Sequence, residues 1–457
     1  PDSPLVMAGG VTSFLNPEPL APFVDCFVIG EAEAVLPEFF ETHKAYNHKE
    51  RRLKALARQV SGIYVPALYE VDYASDGTIS GFHGRHGAPA RVQRIVARDH
   101  ASLPISTVIL TPYTTFANTF LVEAARGCPH GCRFCAAGFV YRPPRFKDPR
   151  LLEASIRQAG VNTSKVGLVA SDIGDIPGIE SVCSKAVCDH LQLSFSSFRA
   201  DLLSPDFLDV LRKTGTKTAT IAPDGGSERM RRMINKGISE VDILAAVDKL
   251  VGTGISNIKL YFMVGLPGET MSDVEAIVKL CHKIKHRFLK ASRLKARMGQ
   301  LVVSLNSFVP KPFTPFQWSP MESVRELRNR IRHVQRELKK VANIQVHADL
   351  PKWAYVQALL SRGDRRTSRL LMEALGNGGN WTKTLKESIV NPDFYVYRMR
   401  PWDEILPWDF IDNGIKKSFL LSEYHRAMKE KRTPPCEPDV CHTCGVCPKK
   451  IREDPTG

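Results

Sequence analysis

"RGCPHGCRFCAAG", residues 126–138, sets Cys128, Cys132 and Cys135 within eight positions of a glycine-rich stretch, with no fourth cysteine nearby. Thiols this close in a long chain read as metal ligands rather than as a disulfide framework. A four-iron cluster is normally held by four cysteine thiolates. Three leave one iron open, and an open position is what a catalytic metal needs and a structural one avoids. A zinc loop is the alternative, with His130 as its fourth ligand.

The flanking sequence shows what carries this loop. "TFLVEAARG" (119–127) is strand-like, and "DPRLLEASIRQAG" (148–160) is a helix with Asp148 as cap, Pro149 in the first turn and Gly160 at the end. Further strands read at "KVGLVAS" (165–171), "LQLSFSSFRAD" (191–201), "TKTATIAPDGG" (216–226), "ISNIKLYFMVGLPGE" (255–269) and "GQLVVSLNSFVP" (299–310). Ser204-Pro205 starts one intervening helix, and Ser272 with Glu275 reads as the capping box of another. Six strands separated by helices, without hairpins, predict a parallel sheet. About 200 residues is short for an eightfold barrel. The expected core is therefore α/β, a partial six-stranded (β/α)6 TIM-like barrel over 116–320, with the cysteine loop at the C-terminal mouth where barrel enzymes work.

The chain has 457 residues, too many for one core, so further domains are expected. "LVMAGG" (5–10) and "VDCFVIGEAEAVLPEFFETH" (24–43) read as strand, glycine turn and helix, the end of a Rossmann-like domain over 1–45. A connector over 46–115 follows, with a hairpin at Asp76-Gly77. After Pro320 the pattern becomes helical, over 321–430. In "MESVRELRNRIRHVQRELKKV" (321–341), Val324, Leu327, Ile331, Val334, Leu338 and Val341 form one apolar stripe, leaving the basic remainder outward. In "LSRGDRR" (360–366) two readings stay open for the arginines, contact with an anionic substrate at the barrel mouth or solvation of a helix end.

The tail, 431–457, has too little apolar content to fold unaided. It carries Cys436-x4-Cys441-x2-Cys444-x2-Cys447, a complete set of four that closes a site as zinc or as a second iron–sulfur cluster. The serial run followed by Pro448 leans toward iron–sulfur. Cys26, Cys183, Cys188 and Cys281 read as ordinary core or surface thiols. Metal-type cysteine spacing points to a reducing, cytoplasmic setting. No apolar run is long enough to span a bilayer. Lys and Arg number 63 against 48 acids, a net charge of +15 that suits an anionic partner such as RNA or, equally, a solvated basic surface.

Cys128-Pro-His-Gly-Cys132-Arg-Phe-Cys135, with aromatic Phe134 before the third cysteine, resembles the signature of the radical SAM superfamily. The resemblance implies a [4Fe-4S] cluster whose open iron chelates S-adenosylmethionine. It also implies reductive cleavage to a 5′-deoxyadenosyl radical, hydrogen abstraction from a substrate, and a reductant such as flavodoxin or ferredoxin. Ser171 and Asp172 in "SDIGD" stand where the superfamily often has Gly-Gly-Glu, and depart from it. Ser197 and Arg199 match a Ser-x-Arg element directed at SAM or a carboxylate. Asp224 stands in place of a fourth-strand glutamate, with a shorter side chain to reach a ribose or substrate. "GLPGET" (265–270) resembles the fifth-strand element near the adenine, and its glycines and proline also explain a plain turn. Gly9 and Gly10, with "GEAE" (30–33), resemble the end of a cobalamin-binding domain whose first half would precede Pro1. Cobalamin would imply methyl transfer. Two other functional readings stay open. One is an RNA-modifying enzyme of methylthiotransferase-like logic, favoured by charge and the second cysteine set but lacking a recognisable RNA-binding β-barrel. The other is a non-catalytic metal-containing nucleic-acid-binding protein, for which the barrel strands would be needless.

Overall fold

Phe120–Glu123 (β1) begins a run of parallel strands: Lys165–Val169 (β2), Gln192–Ser194 (β3), Thr218–Asp224 (β4), Asn257–Val264 (β5), Gln300–Ser307 (β6) and Ile344–Ala348 (β7). The computed structural model describes residues 3–160, 163–195, 197–293, 299–438, 440–441 and 443–447. The end of the basic run 282–297, Pro448 and the rest of the tail lie outside the described residues. Spatial order follows chain order. β1, β2 and β3 pair in parallel, and so do β4, β5, β6 and β7. Among the described residues a single parallel bridge, Phe198 to Ile221, joins the two halves.

A helix separates each strand from the next: Pro149–Ala159 (α1), Ile179–Cys188 (α2), Pro205–Lys213 (α3), Glu240–Thr253 (α4), Met271–Arg293 (α5) and Val324–Lys339 (α6). Parallel neighbours need such crossovers. Asp148 caps α1 by accepting from the Arg150 amide at 2.7 Å, and Ser204 caps α3 by accepting from the Phe207 amide at 3.2 Å. The expected cap of α5 is displaced. Asp273, not Glu275, reaches back, accepting from the Thr270 amide at 2.9 Å and its hydroxyl at 2.7 Å. The Pro267-Gly268 turn starts the helix earlier, and Glu275 pairs with His333 instead.

Along β5 the pleat is readable. Ile258, Leu260, Phe262 and Val264 are buried in the core with Ile243 and Val247 of α4 and Val274 and Ile277 of α5, while Lys259, Tyr261 and Met263 point the other way. The six expected strands are present in the expected order. β7 extends them, and it makes α6 a crossover rather than the start of a separate helical layer. Leu327, Ile331, Val334 and Leu338 of α6 are buried as their spacing requires.

Met7–Ala8 and Cys26–Val28 pair in parallel, with Ile63–Tyr64 antiparallel beside them and Ala32–Ala45 following as a helix. A hairpin of Tyr69–Tyr73 and Ile79–Gly84 turns at Asp76-Gly77, where Gly77 has φ 84°. The C-terminal region is largely helical and returns to this layer. Trp408, Phe410 and Leu420 share a core with Phe27, Tyr64 and Val92. Neither reading of the "LSRGDRR" arginines holds. Arg362 is buried and donates to the carbonyls of Tyr395, Ser319 and Arg398. Arg365 pairs with buried Glu18 at 2.9 Å, and Arg366 pairs with Asp364 and donates to the Gly77 carbonyl. Arg365 and Arg366 tie the C-terminal region to the N-terminal layer. Among the described residues no helix is long and apolar enough to cross a membrane.

Candidate active site

The cysteine loop leaves the sheet after β1 and is pinched at its base. Ala125–Arg126 pairs with Arg145–Phe146. Gly127 has φ +89°, and a Cβ there would lie 2.6 Å from the Tyr141 carbonyl oxygen, so only glycine fits. Arg126 is clamped by Glu123 at 2.7 Å, Glu31 at 3.1 Å and Glu33 at 3.0 Å. The "GEAE" segment thus holds the residue two positions before Cys128. Burial alone would raise the Glu123 pKa, but hydrogen bonds from His100 and Arg126 bring it down to about 2.

Cys132 is buried, and Cys128 and Cys135 are half-buried. Burial, then the neighbouring Cys132, pushes the Cys128 thiol up to about 12. Burial lifts Cys132 to about 11 against the pull of Lys236. The thiols therefore sense one another, and ionising all three without a cation would be costly. Among the described residues no three thiols lie within 4.8 Å of one another. Ligands of one tetrahedral zinc would stand about 3.8 Å apart, from a Zn–S length of about 2.3 Å. His130 is engaged elsewhere, with Asp175 at 3.0 Å. The donor set fits a cluster better than a zinc ion.

Charged groups from the following strand ends surround the loop. Asp172, after β2, is buried, and its pKa is raised to about 6 by burial and then by the charge of Asp175. Asp172, Asp175 and His130 offer ligand atoms within 4.8 Å of one another. Arg199, after β3, is held by Asp201 at 3.0 Å and donates to the Lys236 carbonyl at 3.1 Å. Asp224, ending β4 with φ 61°, accepts from Lys236 at 2.7 Å. Lys236 is pushed above its ordinary pKa even though burial works against it, because Asp224 and Cys132 favour its charge. Phe134 packs against a buried apolar cluster that includes Met230, Met233 and Leu266, the last from the "GLPGET" turn.

Two cavities open here. One, of about 600 Å³, lies between the N-terminal layer and the barrel mouth, lined by Gly9, Gly10, Glu31, Arg126, Gly127 and Ser171 among others. A Cβ at Gly10 would meet nothing within 4 Å, and one at Gly9 only Val28 at 3.6 Å. The other, of about 380 Å³, is lined by His130, Arg199, Asp201, Asn235, Lys236 and tail residues 432–435.

The tail lies against the loop. Cys436 donates its amide to the Pro129 carbonyl at 2.7 Å. Asn235 donates to the carbonyls of Gly131 at 3.2 Å and Thr433 at 3.1 Å, and accepts from the Thr433 amide at 2.9 Å. Arg133, fully buried, pairs with Glu423 at 3.1 Å and donates to the carbonyls of Met233 and Lys431. Burial lifts Cys436 to about 11, opposed by Arg142 and reinforced by Cys444, Cys447 and Cys441. A hydrogen bond from Thr443 lowers Cys441.

The structure thus brings together Cys128, Cys132, Cys135, Asp172, Arg199 and Asp224. Ser171 lines the larger cavity with Gly9 and Gly10, and Ser197 is half-buried two residues before Arg199. Cys436, Cys441, Cys444 and Cys447 gather beside the loop. Cys26, Cys183 and Cys281 are buried in the cores, and Cys188 is exposed. Sequence reasoning missed Lys236, Asn235, Arg133 and Arg142. Lys236 alone left a local signal, the Asn-Lys-Gly following the fourth-strand segment.

A profile of the radical SAM superfamily matches residues 122–281, and a profile described as radical SAM proteins, N-terminal, matches residues 1–66. An uncharacterized protein of Methanocaldococcus jannaschii is 31% identical over 80% of this chain and 73% of its own. A tRNA-2-methylthio-N(6)-dimethylallyladenosine synthase of Syntrophus aciditrophicus is 24% identical over 56% of this chain and 59% of its own. Among solved structures, the radical S-adenosylmethionine methyltransferase TsrM of Kitasatospora setae matches with a TM-score of 0.42 and 14% identity, covering 65% of this chain and 54% of that one.

Proposed function

Because the chain belongs to the radical SAM superfamily, we propose that Cys128, Cys132 and Cys135 hold a four-iron cluster whose open iron takes S-adenosylmethionine, and that its reductive cleavage starts hydrogen abstraction from a substrate. The observation that carries this reading is the pairing of mutually sensing thiols with Asp172, a buried carboxylate whose pKa is raised to about 6 by burial and by Asp175. When bound and reduced, the cluster supplies one electron to the sulfonium. The chain's own residues do the rest. Asp172 and Asp175 offer acceptors to the N–H groups of the methionyl amine. Lys236 offsets thiolate charge from within the fold, and Arg199, fixed by Asp201, presents its guanidinium to an anionic group in the smaller cavity. Phe134 and its methionine neighbours keep water from one side. Anaerobically reconstituted protein should convert S-adenosylmethionine to 5′-deoxyadenosine and methionine when reduced with dithionite. Protein that holds its iron but makes no 5′-deoxyadenosine would refute the reading.

Cobalamin is a finer reading supported by one observation: uncrowded backbone at Gly9 and Gly10 faces the cavity that also reaches the barrel mouth. Titration with hydroxocobalamin should give saturable binding that Gly9→Val weakens at least about tenfold, a loss of about 1.4 kcal/mol. The net charge of +15 supports an anionic substrate, of which RNA is one. Transfer RNA should then bind with an affinity that falls steeply with salt, because phosphate contacts release counterions.

A further inference from the structure

The four tail thiols sit in a segment with no helix or strand among its described residues, yet the segment is fixed against the SAM-cluster loop by bonds from three directions. Cys436 is joined through its amide to the carbonyl of Pro129, the residue next to Cys128, at 2.7 Å. Asn235 bridges Gly131 of the loop to Thr433 of the tail. Arg133, between Cys132 and Phe134, reaches Lys431 and Thr433.

A buried cation also stands between the two cysteine sets. Arg142 is 6% exposed, and its guanidinium lies over the rings of Phe139 and Phe419 at 5.0 and 5.2 Å. Its Nη2 would be 3.5 Å from a Cβ on Gly131, and its charge acts on Cys436 and Cys441. Among the described residues it forms no ion pair with a carboxylate. A buried charge needs a counter-charge, and metal-bound thiolates would supply one. The tail thiols do not converge to single-ion spacing, since no three lie within 4.8 Å of one another among the described residues.

We propose that Cys436, Cys441, Cys444 and Cys447 bind a second iron–sulfur cluster, coordinatively closed, that relays electrons into the SAM cluster. The route runs from the Cys436 thiolate along its backbone, across the Cys436 N–H to Pro129 carbonyl bond, and into Cys128. One electron passes from a flavodoxin- or ferredoxin-type donor to the oxidised tail cluster. It then moves to the oxidised SAM cluster, which returns the tail cluster to its starting state. The electron is finally spent on the sulfur–C5′ bond of S-adenosylmethionine, giving methionine and the 5′-deoxyadenosyl radical. The relay rests on the radical SAM reading of the first site, and its test separates the two.

Reconstituted wild-type protein should hold about eight irons per chain, and a Cys441→Ala/Cys444→Ala variant about four. The variant should cleave S-adenosylmethionine with dithionite at a rate within about twofold of wild type, and with reduced flavodoxin at least about tenfold more slowly; these thresholds reflect a closed cluster needed for electron delivery but not for SAM chelation. Four irons and one tightly held zinc in the wild type would overturn the cluster, and an unchanged flavodoxin-driven rate would overturn the relay. If dithionite fails with wild-type protein, the reading of the first site falls and the relay with it. Should the variant not fold, the wild type decides. Substoichiometric flavodoxin hydroquinone should first produce an electron paramagnetic resonance signal that S-adenosylmethionine does not alter. A SAM-sensitive signal appearing first would overturn the relay.

Discussion

The loop at 128–135 and the tail at 436–447 are both cysteine sites, but they differ in ligand number and in what holds them. The loop has three thiols on a base fixed before any metal arrives, by a strand pair, an obligatory glycine and the Arg126 clamp. The tail has four thiols in a stretch with no helix or strand among its described residues, anchored by hydrogen bonds to the loop. The difference separates two roles. A preformed frame with a missing ligand can present an open iron to a substrate. A full ligand set without a frame spends its metal on folding.

The hardest way to break this contrast is to remove one thiol from each site. Cys132→Ala should lower dithionite-driven cleavage of S-adenosylmethionine at least about 1,000-fold, because two ligands do not retain a cluster needing three. Cys444→Ala should leave that rate within a few-fold. Measuring 5′-deoxyadenosine from both variants checks this, and equal losses would erase the distinction.

Arg133 is the shared element, so its loss should damage both sites. Arg133→Met leaves buried Glu423 with only Arg426 at 3.4 Å and the Thr433 hydroxyl at 2.8 Å, which costs about 1–3 kcal/mol. Chemical denaturation measures it, and a loss below about 1 kcal/mol would mean that the bonds to Met233, Lys431 and Thr433 carry little.

Metal removal should act unequally. Chelated, iron-free protein should be cut by trypsin near Lys431 and Arg432 about tenfold or more faster than the holoprotein, while the barrel stays intact. The expectation follows from the coupling of metal binding to folding where only a few hydrogen bonds otherwise hold a segment. Equal protection with and without metal would show that the tail is framed by its hydrogen bonds alone.

A smaller effect belongs to the loop alone. Asp172 has its pKa raised to about 6, by burial first and Asp175 second. A raised carboxylate pKa favours the folded state below the unfolded value of about 4, and that stability is lost as pH rises through about 6. Binding a cation reverses the preference. Affinity for S-adenosylmethionine should therefore rise a few-fold between about pH 5 and about pH 7, and Asp172→Asn should bind more weakly with no such slope. Equilibrium binding at fixed ionic strength tests this without turnover.

What was legible in the sequence follows from range. Strands β1 to β6 announce themselves through apolar runs bounded by glycine and by local caps such as Asp148 and Ser204, all within a few residues. β7 does not. It is a sheet edge in which Gln345 and His347 are exposed and only Ile344 is buried, so it carries little apolar signal after a strongly amphipathic helix. The cap of α5 moved because Asp273 also serves Ser227 and Arg229, partners 46 and 44 residues away. The cysteines were legible because their spacing is itself the chemistry. Lys236 and Arg142 act on thiols brought near by folding, and Arg133 meets Glu423 across 290 residues. The arginines at 362–366 resemble an exposed basic turn in one dimension, and only the third reveals the carbonyls and carboxylates that engage them.

The central claim is that the three-thiolate loop, and not the four-thiolate tail, presents an open iron to S-adenosylmethionine. Electron–nuclear double resonance on the reduced holoprotein with S-adenosylmethionine labelled with nitrogen-15 at its amino group measures this directly. A nitrogen coupling to a reduced cluster is expected in wild-type protein and in Cys441→Ala/Cys444→Ala. It should be absent from Cys128→Ala/Cys132→Ala/Cys135→Ala. Coupling that survives loss of the three loop thiols, or that vanishes with loss of the tail thiols alone, would contradict the account.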